Sequence, residues 1–476
     1  MKRSQRLKKS NPSLRSIPSL RGTKQSDHKI ASYLAMTLCF MLLLNTLTRA
    51  QDTISIGQAF KKGKLSGSIR NFTIATDNQK GLSDGFANGL ALSLRYETAK
   101  FHGFQLAIGG ASIANLYASD LTKNDPASGQ PNRYEIGLFD LMDPAKKYGL
   151  NRLEELYVKY NFNGGDIKLG RQFINTTFIN PQDGRLRPTA MEGALTTLKV
   201  GKNLTIKGCL IWKIAPRSTV DFYSPGDSFG LYPTGVNRDG TKAAYKGSTK
   251  SKAIAVVEVQ SMLAKTISLS FSNVLTANVF NTSLIQLDKA VGKLFFGLQA
   301  IKQFKVNDGG NEDQELTYFG ENHTGFTFGG RAGVKNKIGG MSINYNRITA
   351  QSKYLFPREW GKDPFFTFLP RERNEGFGDV HAFTVKLDRT FFKDKLIANI
   401  AAGYYHLPDV KNYRLNKYGM PSYTQVNVDL KYNLKSVDLA FLYAMKLNEG
   451  ETYNNQKFVI NKVNMTNYNF IINYHF

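Results

Sequence analysis

From Gln51 onward, apolar and polar residues alternate with a period of two rather than 3.6. Leu90, Leu92, Leu94 and Tyr96 alternate with Ala91, Ser93 and Arg95. Leu156, Val158, Tyr160 and Phe162 alternate with Glu155, Tyr157, Lys159 and Asn161. The same rhythm runs through Leu204–Trp212 and Val426–Tyr432, and through Val437–Met445, which faces away from Asp438 and Lys446. Successive side chains of a strand point to opposite faces, so each stretch is a strand with one apolar and one polar face. The pattern predicts eighteen strands, near 64–75, 87–97, 102–114, 152–162, 165–173, 191–200, 204–213, 252–260 and 265–274, and near 278–287, 293–302, 324–335, 338–348, 379–388, 394–405, 423–433, 437–447 and 467–476.

Alternation alone fits a soluble sandwich or a membrane barrel. The strand count is even, and most strands approach the ~9–11 residues that a tilted spanning strand needs. Short links such as Asn163-Gly164, Gly201-Lys202-Asn203, Asn336-Lys337 and Leu434-Lys435-Ser436 alternate with long ones at 115–151, 174–190, 214–251, 303–323, 349–378, 406–422 and 448–466. Barrels of the outer membrane have short turns at one end and long loops at the other. The link near 275–277 is too short for this rhythm. The chain ends on Tyr468, Phe470, Ile472, Tyr474 and Phe476 along one face, which suits a last strand that closes on the first. Tyr96, Phe104, Tyr160, Phe162, Trp212, Tyr345, Tyr404 and Tyr432 fall near strand ends, where aromatic girdles sit at the headgroup level. The fold class expected is therefore all-β: a transmembrane antiparallel barrel with short periplasmic turns and long extracellular loops.

Composition narrows the field further. The 476 residues carry 63 Lys+Arg against 37 Asp+Glu, a net +26, and only two cysteines. A disulfide scaffold is excluded, and too few long apolar runs exist for a helical membrane protein. Residues 30–48 are uncharged with an apolar heart at Leu34–Leu44, preceded by Lys24 and Lys29 and followed by Arg49-Ala50-Gln51. This reads as a secretory signal peptide cut near Ala50, behind a basic extension of 29 residues. A membrane anchor is the other reading, but the apolar heart is shorter than the ~20 residues that span. Two parts follow: an extension and leader over 1–50, and a barrel over 51–476. The second part keeps a net +17 and one cysteine, Cys209.

Three neighbouring segments carry a resemblance. They are Arg152-Leu-Glu-Glu-Leu-Tyr-Val-Lys-Tyr-Asn161, Asp166-Ile-Lys-Leu-Gly-Arg-Gln172, and Ile179-Asn-Pro-Gln-Asp-Gly-Arg-Leu-Arg-Pro-Thr189. Together they resemble the OprD family of substrate-specific outer-membrane porins, in which two strands lead into a loop bearing Asp-Gly-Arg-Leu-x-Pro. The specific match covers residues 150–200. The resemblance implies a third outer loop that folds inward to narrow the pore, and a basic lumen that passes small carboxylate-bearing solutes. On the matching positions, the constriction loop would carry Asp183, Arg185 and Pro188, with Arg187 beside them.

With apolar faces toward lipid, the alternate positions line the lumen. These include Arg70, Arg95, Lys159, Lys168, Lys207, Arg331, Lys335, Lys386 and Lys431, with Glu155, Asp166, Glu258, Asp388, Asp429 and Asp438 among them. Fixed positive charge in a narrow lumen favours anions, and an arginine can grip a carboxylate with two hydrogen bonds. Arg185 has a second reading, as an anchor to an acidic wall residue. Arg371 and Arg373 lie in a long outer loop that either turns inward, pairs them with Glu372 and Glu375, or exposes them.

The expected function is passive diffusion of small hydrophilic solutes with a preference for anionic ones; no enzymatic chemistry and no cofactor or metal is implied. The six histidines have no metal-ligand spacing, and the basic residues alternate along strands instead of clustering as a nucleic-acid surface does. The partners expected are outer-membrane lipid and small solutes, with monomer and homotrimer both open. A plugged or adhesive barrel is an alternative. A barrel enzyme is another, in which His381 would have to meet Ser352 or Asp379.

Overall fold

The computed structural model describes residues 54–182 and 184–476. The expected leader over 1–50 and Asp183 lie outside the described residues. A short helix, α1 (Ile56–Lys61), is capped by Ser55, whose hydroxyl accepts from the Gln58 N–H. Eighteen strands follow. The first six are β1 (Lys64–Asp77), β2 (Gly85–Glu97), β3 (Phe104–Ala118), β4 (Leu150–Phe162), β5 (Gly165–Gln172) and β6 (Ala190–Val200). The next six are β7 (Leu204–Ala215), β8 (Ile254–Ala264), β9 (Ile267–Thr276), β10 (Phe280–Val291), β11 (Leu294–Lys305) and β12 (Thr324–Asn336). The last six are β13 (Gly339–Ile348), β14 (Val380–Phe391), β15 (Leu396–His406), β16 (Tyr423–Asn433), β17 (Val437–Asn448) and β18 (Met465–His475).

Each strand pairs antiparallel with its neighbours in sequence, and β1 pairs with β18 from Ser68↔His475 to Asp77↔Thr466. Closure continues to the last residue: Gly67 N–H donates to the Phe476 carbonyl at 2.9 Å, and Phe476 N–H returns to Gly67 at 3.1 Å. A closed sheet leaves no unpaired backbone edge to face hydrocarbon, where each such group costs several kcal/mol. The terminal aromatic strand is thus the closing seam.

The expected alternation of links holds throughout. Eight turns of two to six residues sit at one end, and nine outer loops at the other: 78–84, 119–149, 173–189, 216–253, 277–279, 306–323, 349–379, 407–422 and 449–464. The link near 275–277 does not break the rhythm. Outer loop 5 is a tight three-residue turn, with Asn278 at φ 65° and Phe280 paired to Thr276. A short loop there lets the long ones on either side meet over it.

Outward positions carry the exposed apolar residues, such as Leu92 and Leu94 on β2, Leu298 on β11 and Phe383 on β14. Aromatics flank this band. Phe104 packs on Tyr160 at 4.7 Å near the turn end, and Tyr345 on Phe383 at 4.7 Å near the loop end. The buried apolar residues lie inside, in the outer half of the barrel. One cluster joins outer loops 3, 4, 6, 7 and 8 to inward residues of β7–β16, around Trp360, Phe229, Phe280 and Phe356. A second joins Tyr134, Leu138 and Phe139 of outer loop 2 and Leu186 of outer loop 3 to Phe72, Ile74, Ala87 and Ile113. The loops fold into the mouth because their aromatics find inward apolar wall there, and burying one such ring stabilises by about 1.5–3 kcal/mol.

Candidate pore constriction

Outer loop 3 reaches from β5 to β1 and β2. At its tip the carbonyl of Arg185 accepts from Arg70 Nη1 on β1 at 3.0 Å, and Leu186 packs where a Cβ on Gly89 of β2 would stand. Behind the tip sits an anchor. Glu154 is buried and shared by two arginines: Arg152 Nη2 at 2.6 Å, and Arg187, whose Nε lies 2.8 Å away and whose Nη2 bonds the other oxygen. Arg152 also donates to the carbonyls of Pro188 at 2.5 Å, and of Pro216 and Thr219 at 3.1 Å each. One buried ion triad therefore fastens loops 3 and 4 to β4.

A backbone bulge makes this possible. Gly109 faces Glu155 and Gly110 faces Leu153, so Glu154 is the extra residue of β4. Alternation carried back from Leu156 would set Glu154 against lipid. The bulge turns it inward beside Glu155, and the signal in the sequence was a carboxylate on the lipid side of a spanning strand.

Arg185 itself forms no ion pair among the described residues. Its Nη1 donates to the neighbouring Gly184 carbonyl at 2.9 Å, and its chain lies against Gly137 of loop 2, where a Cβ would come within 2.8 Å of Nε. Arg217 of loop 4 lies beside Gly184 and is tied by its N–H to Thr189 at 3.2 Å. Arg371 of loop 7 reaches β18, bonding Asn469. The Nε atoms of Arg185, Arg217 and Arg371 are buried and have no hydrogen-bond partner among the described residues. Burial, then Arg371 and Arg217, push the Arg185 guanidinium well below its usual value. Burial and Arg217 bring Arg371 down to about 10. Among the described residues, the carboxylate that acts on both Arg185 and Arg371 is Glu135, which is engaged by Thr76 and by Asn132 at 2.7 Å.

Arg371 and Arg373 both turn inward, and neither pairs with Glu372 or Glu375. Arg373 bonds Gln182 of loop 3 at 2.5 Å. Glu372 is taken by Arg133 and Lys446, both at 3.1 Å, and by Arg358 at 3.7 Å. Although burial raises it, these three cations hold the Glu372 carboxyl well below the usual range. Glu375 is taken by Arg358 at 2.6 Å and Lys417 at 3.7 Å. Cations from loops 2, 7 and 8 and from β17 hold the two carboxylates, so Arg371 and Arg373 find other partners.

The remaining lumen positions follow alternation. Arg95 bonds Glu97 at 2.5 Å and Glu155 at 3.1 Å, and Lys168 lies 4.9 Å from the Tyr157 ring. Lys207 approaches Glu258 at 3.9 Å, and Arg331 bonds Asp288 at 2.7 Å beneath Phe366. Lys386 donates to the Phe366 and Phe368 carbonyls at 2.7 and 3.0 Å, bracing loop 7, and Lys431 lies 3.9 Å from Asp429. Two cavities run from the inward loops to the turn end. One of about 660 Å³ includes Arg331, Lys335, Lys386 and Asp429, under loop 7. The other, about 550 Å³, includes Lys64, Arg95, Glu155 and Arg187, under loop 3. His381 bonds Tyr345 at 2.9 Å on the outer face, and Asp379 is held by Arg347 at 2.5 Å, so the enzyme constellation is not assembled.

No protein-family model and no curated protein matches the sequence. Solved structures do. Pseudomonas aeruginosa OccK9 (OpdG) is 14% identical with a TM-score of 0.67, over 88% of this chain and 99% of that one. The chain has the fold of the OprD/Occ porins. Acinetobacter baumannii OccAB4 shares this porin fold at 15% identity, TM-score 0.64, over 87% and 98% of the chains. Pseudomonas aeruginosa OpdK, solved with vanillate, shares it at 13%, TM-score 0.63, over 88% and 99%. The apolar outer band is the face that a barrel of this fold turns to hydrocarbon.

Proposed function

We propose that the protein is an outer-membrane channel through which small hydrophilic solutes diffuse passively, with a preference for solutes bearing a carboxylate. The single observation that carries the preference is the seam between loops 3, 4 and 7. There three guanidiniums have buried Nε donors that are unmet among the described residues, and the carboxylates Glu135 and Glu372 are engaged elsewhere. Buried donors without partners are costly, and an anion passing among them supplies the missing acceptors. Asp183, Arg185, Arg187 and Pro188 form the constriction loop in this reading. Arg187 and Pro188 hold it in place, and Arg185 meets the solute. The lumen cations below the loops guide an anion onward. OpdK, with the same fold, was solved with vanillate, a carboxylate.

Recordings across a planar bilayer under a salt gradient test this. Discrete current steps with a reversal potential of anion-selective sign are expected. Cation-selective steps overturn the preference. The packing of aromatic loops into the outer half of the barrel favours one other reading, a plugged barrel. Absence of current steps from folded protein supports that instead.

A further inference from the structure

The two ends of the barrel differ in charge. The nine outer loops contain 23 Lys+Arg and 23 Asp+Glu, and so sum to zero. The eight periplasmic turns contain eight lysines and one acid, Asp394. Seven of the eight turns carry a lysine; only Asn163-Gly164 lacks one. All eight lysines are exposed, and none forms an ion pair among the described residues. Lumen electrostatics does not account for them, because they sit on the turns and not on inward strand positions.

Their neighbours say what they face. Lys293 stands beside Leu294, Lys337 beside Ile338, Lys393 beside Phe392 and Lys435 beside Leu434, and each of these apolar side chains is more than two-fifths exposed. A charged residue coupled to an exposed apolar one, repeated around a ring, matches a boundary where hydrocarbon gives way to phosphate. The apolar side chain enters the acyl layer, and the lysine stem extends until its ammonium reaches the headgroups. A carbohydrate or peptide polymer on the aqueous side would satisfy the lysines but not the apolar partners.

We propose that the periplasmic rim is a binding collar for anionic phospholipid headgroups of the inner leaflet, with the turn lysines contacting the phosphates. The attraction is Coulombic and short-ranged, so it acts on the lipids next to the barrel and weakens with salt.

The experiment is native mass spectrometry of the full chain released from bilayers of equal phosphatidylglycerol and phosphatidylcholine. The expected result is retention of the anionic lipid over the zwitterionic one by at least about fivefold, the preference a single lysine near an anionic surface supplies. The variant K100Q/K202Q/K265Q/K293Q/K337Q/K393Q/K395Q/K435Q, which neutralises all eight turn lysines, is expected to retain both lipids equally. K242Q/K246Q/K250Q, which removes charge from exposed lysines of loop 4, is expected to keep the preference. Heat-modifiable migration on a gel verifies folding of each variant. Should that variant not fold, K202Q/K265Q/K293Q and K337Q/K393Q/K435Q are each expected to lose part of the preference. Equal retention by the unaltered protein overturns the proposal, as does a preference that is undiminished in the turn variants. So does a result in which these lysines are needed for sedimentation with purified peptidoglycan while lipid retention does not change.

Discussion

Arg70 on β1 holds the tip of outer loop 3 through the carbonyl oxygen of Arg185, 3.0 Å away, and not through its side chain. A wall cation is thereby used to fix backbone across the lumen, and the Arg185 guanidinium stays in the seam with Arg217 and Arg371. The loop is held at both ends of its charged stretch, by Arg70 at the tip and by Glu154 behind it.

Arg185→Ala is expected to widen the seam and weaken anion preference while leaving the barrel folded. A unit charge about 5 Å from a solute in a water-filled path is worth about 1 kcal/mol, or about fivefold in relative permeability. Single-channel conductance should rise, and the reversal potential in a salt gradient should move toward zero. An unchanged reversal potential removes Arg185 from the constriction.

Glu154→Gln removes the carboxylate that Arg152 and Arg187 share in a buried site. Breaking such a pair from one side costs about 3–5 kcal/mol, because the other charges remain buried. Loop 3 is expected to become cleavable by protease, and the current to become noisy. Arg187→Met, which leaves the Arg152–Glu154 pair intact, is expected to have the smaller effect.

Trp360→Ala tests the loop core. Its ring is fully buried, 5.0 Å from Phe229 and 5.7 Å from Phe356, and its N–H donates to Ser228 at 2.9 Å. Truncation is expected to cost about 3–5 kcal/mol. The closed sheet does not depend on this residue, so the loss should appear as faster hydrogen exchange in loops 4 and 7 with strand protection unchanged.

One buried and one half-buried loop lysine predict a pH effect. Burial, then Lys417 and Arg238, lower Lys353 to about 7. Burial, then Arg133, lowers Lys462 to about 7. Between about 7 and the ordinary 10.5 the unfolded loop binds more protons than the folded one, so these groups make loop packing firmer as pH rises through that window. Below about 7 their contribution is flat. Proteolysis of the outer loops should be slower at pH 9 than at pH 7, and the variant Lys353→Met with Lys462→Met should lose the difference.

All eighteen strands were legible because a spanning strand cannot avoid period two: one face meets hydrocarbon and the other does not. The same alternation is what sets Arg70, Arg95, Lys168, Lys207, Arg331, Lys386 and Lys431 opposite the apolar rows in the sequence. Glu154 was not, since a single extra residue shifts every position before it to the other face. Nor were the partners of Glu372. Arg133 lies 239 residues away and Lys446 lies 74 away, and no local pattern joins loops 2 and 7 to β17.

By itself the sequence determined the closed sheet, its closing seam, which end holds the loops, and the lysines of the turns. These follow from a two-residue repeat and from chain length between repeats, which are local quantities. Only the tertiary structure decided that loops 3, 4 and 7 meet inside the mouth, that Glu154 fastens them, and that three guanidiniums converge with donors unmet. Loop aromatics choose their partners by the shape of the wall they reach, and that shape exists only once the barrel has closed.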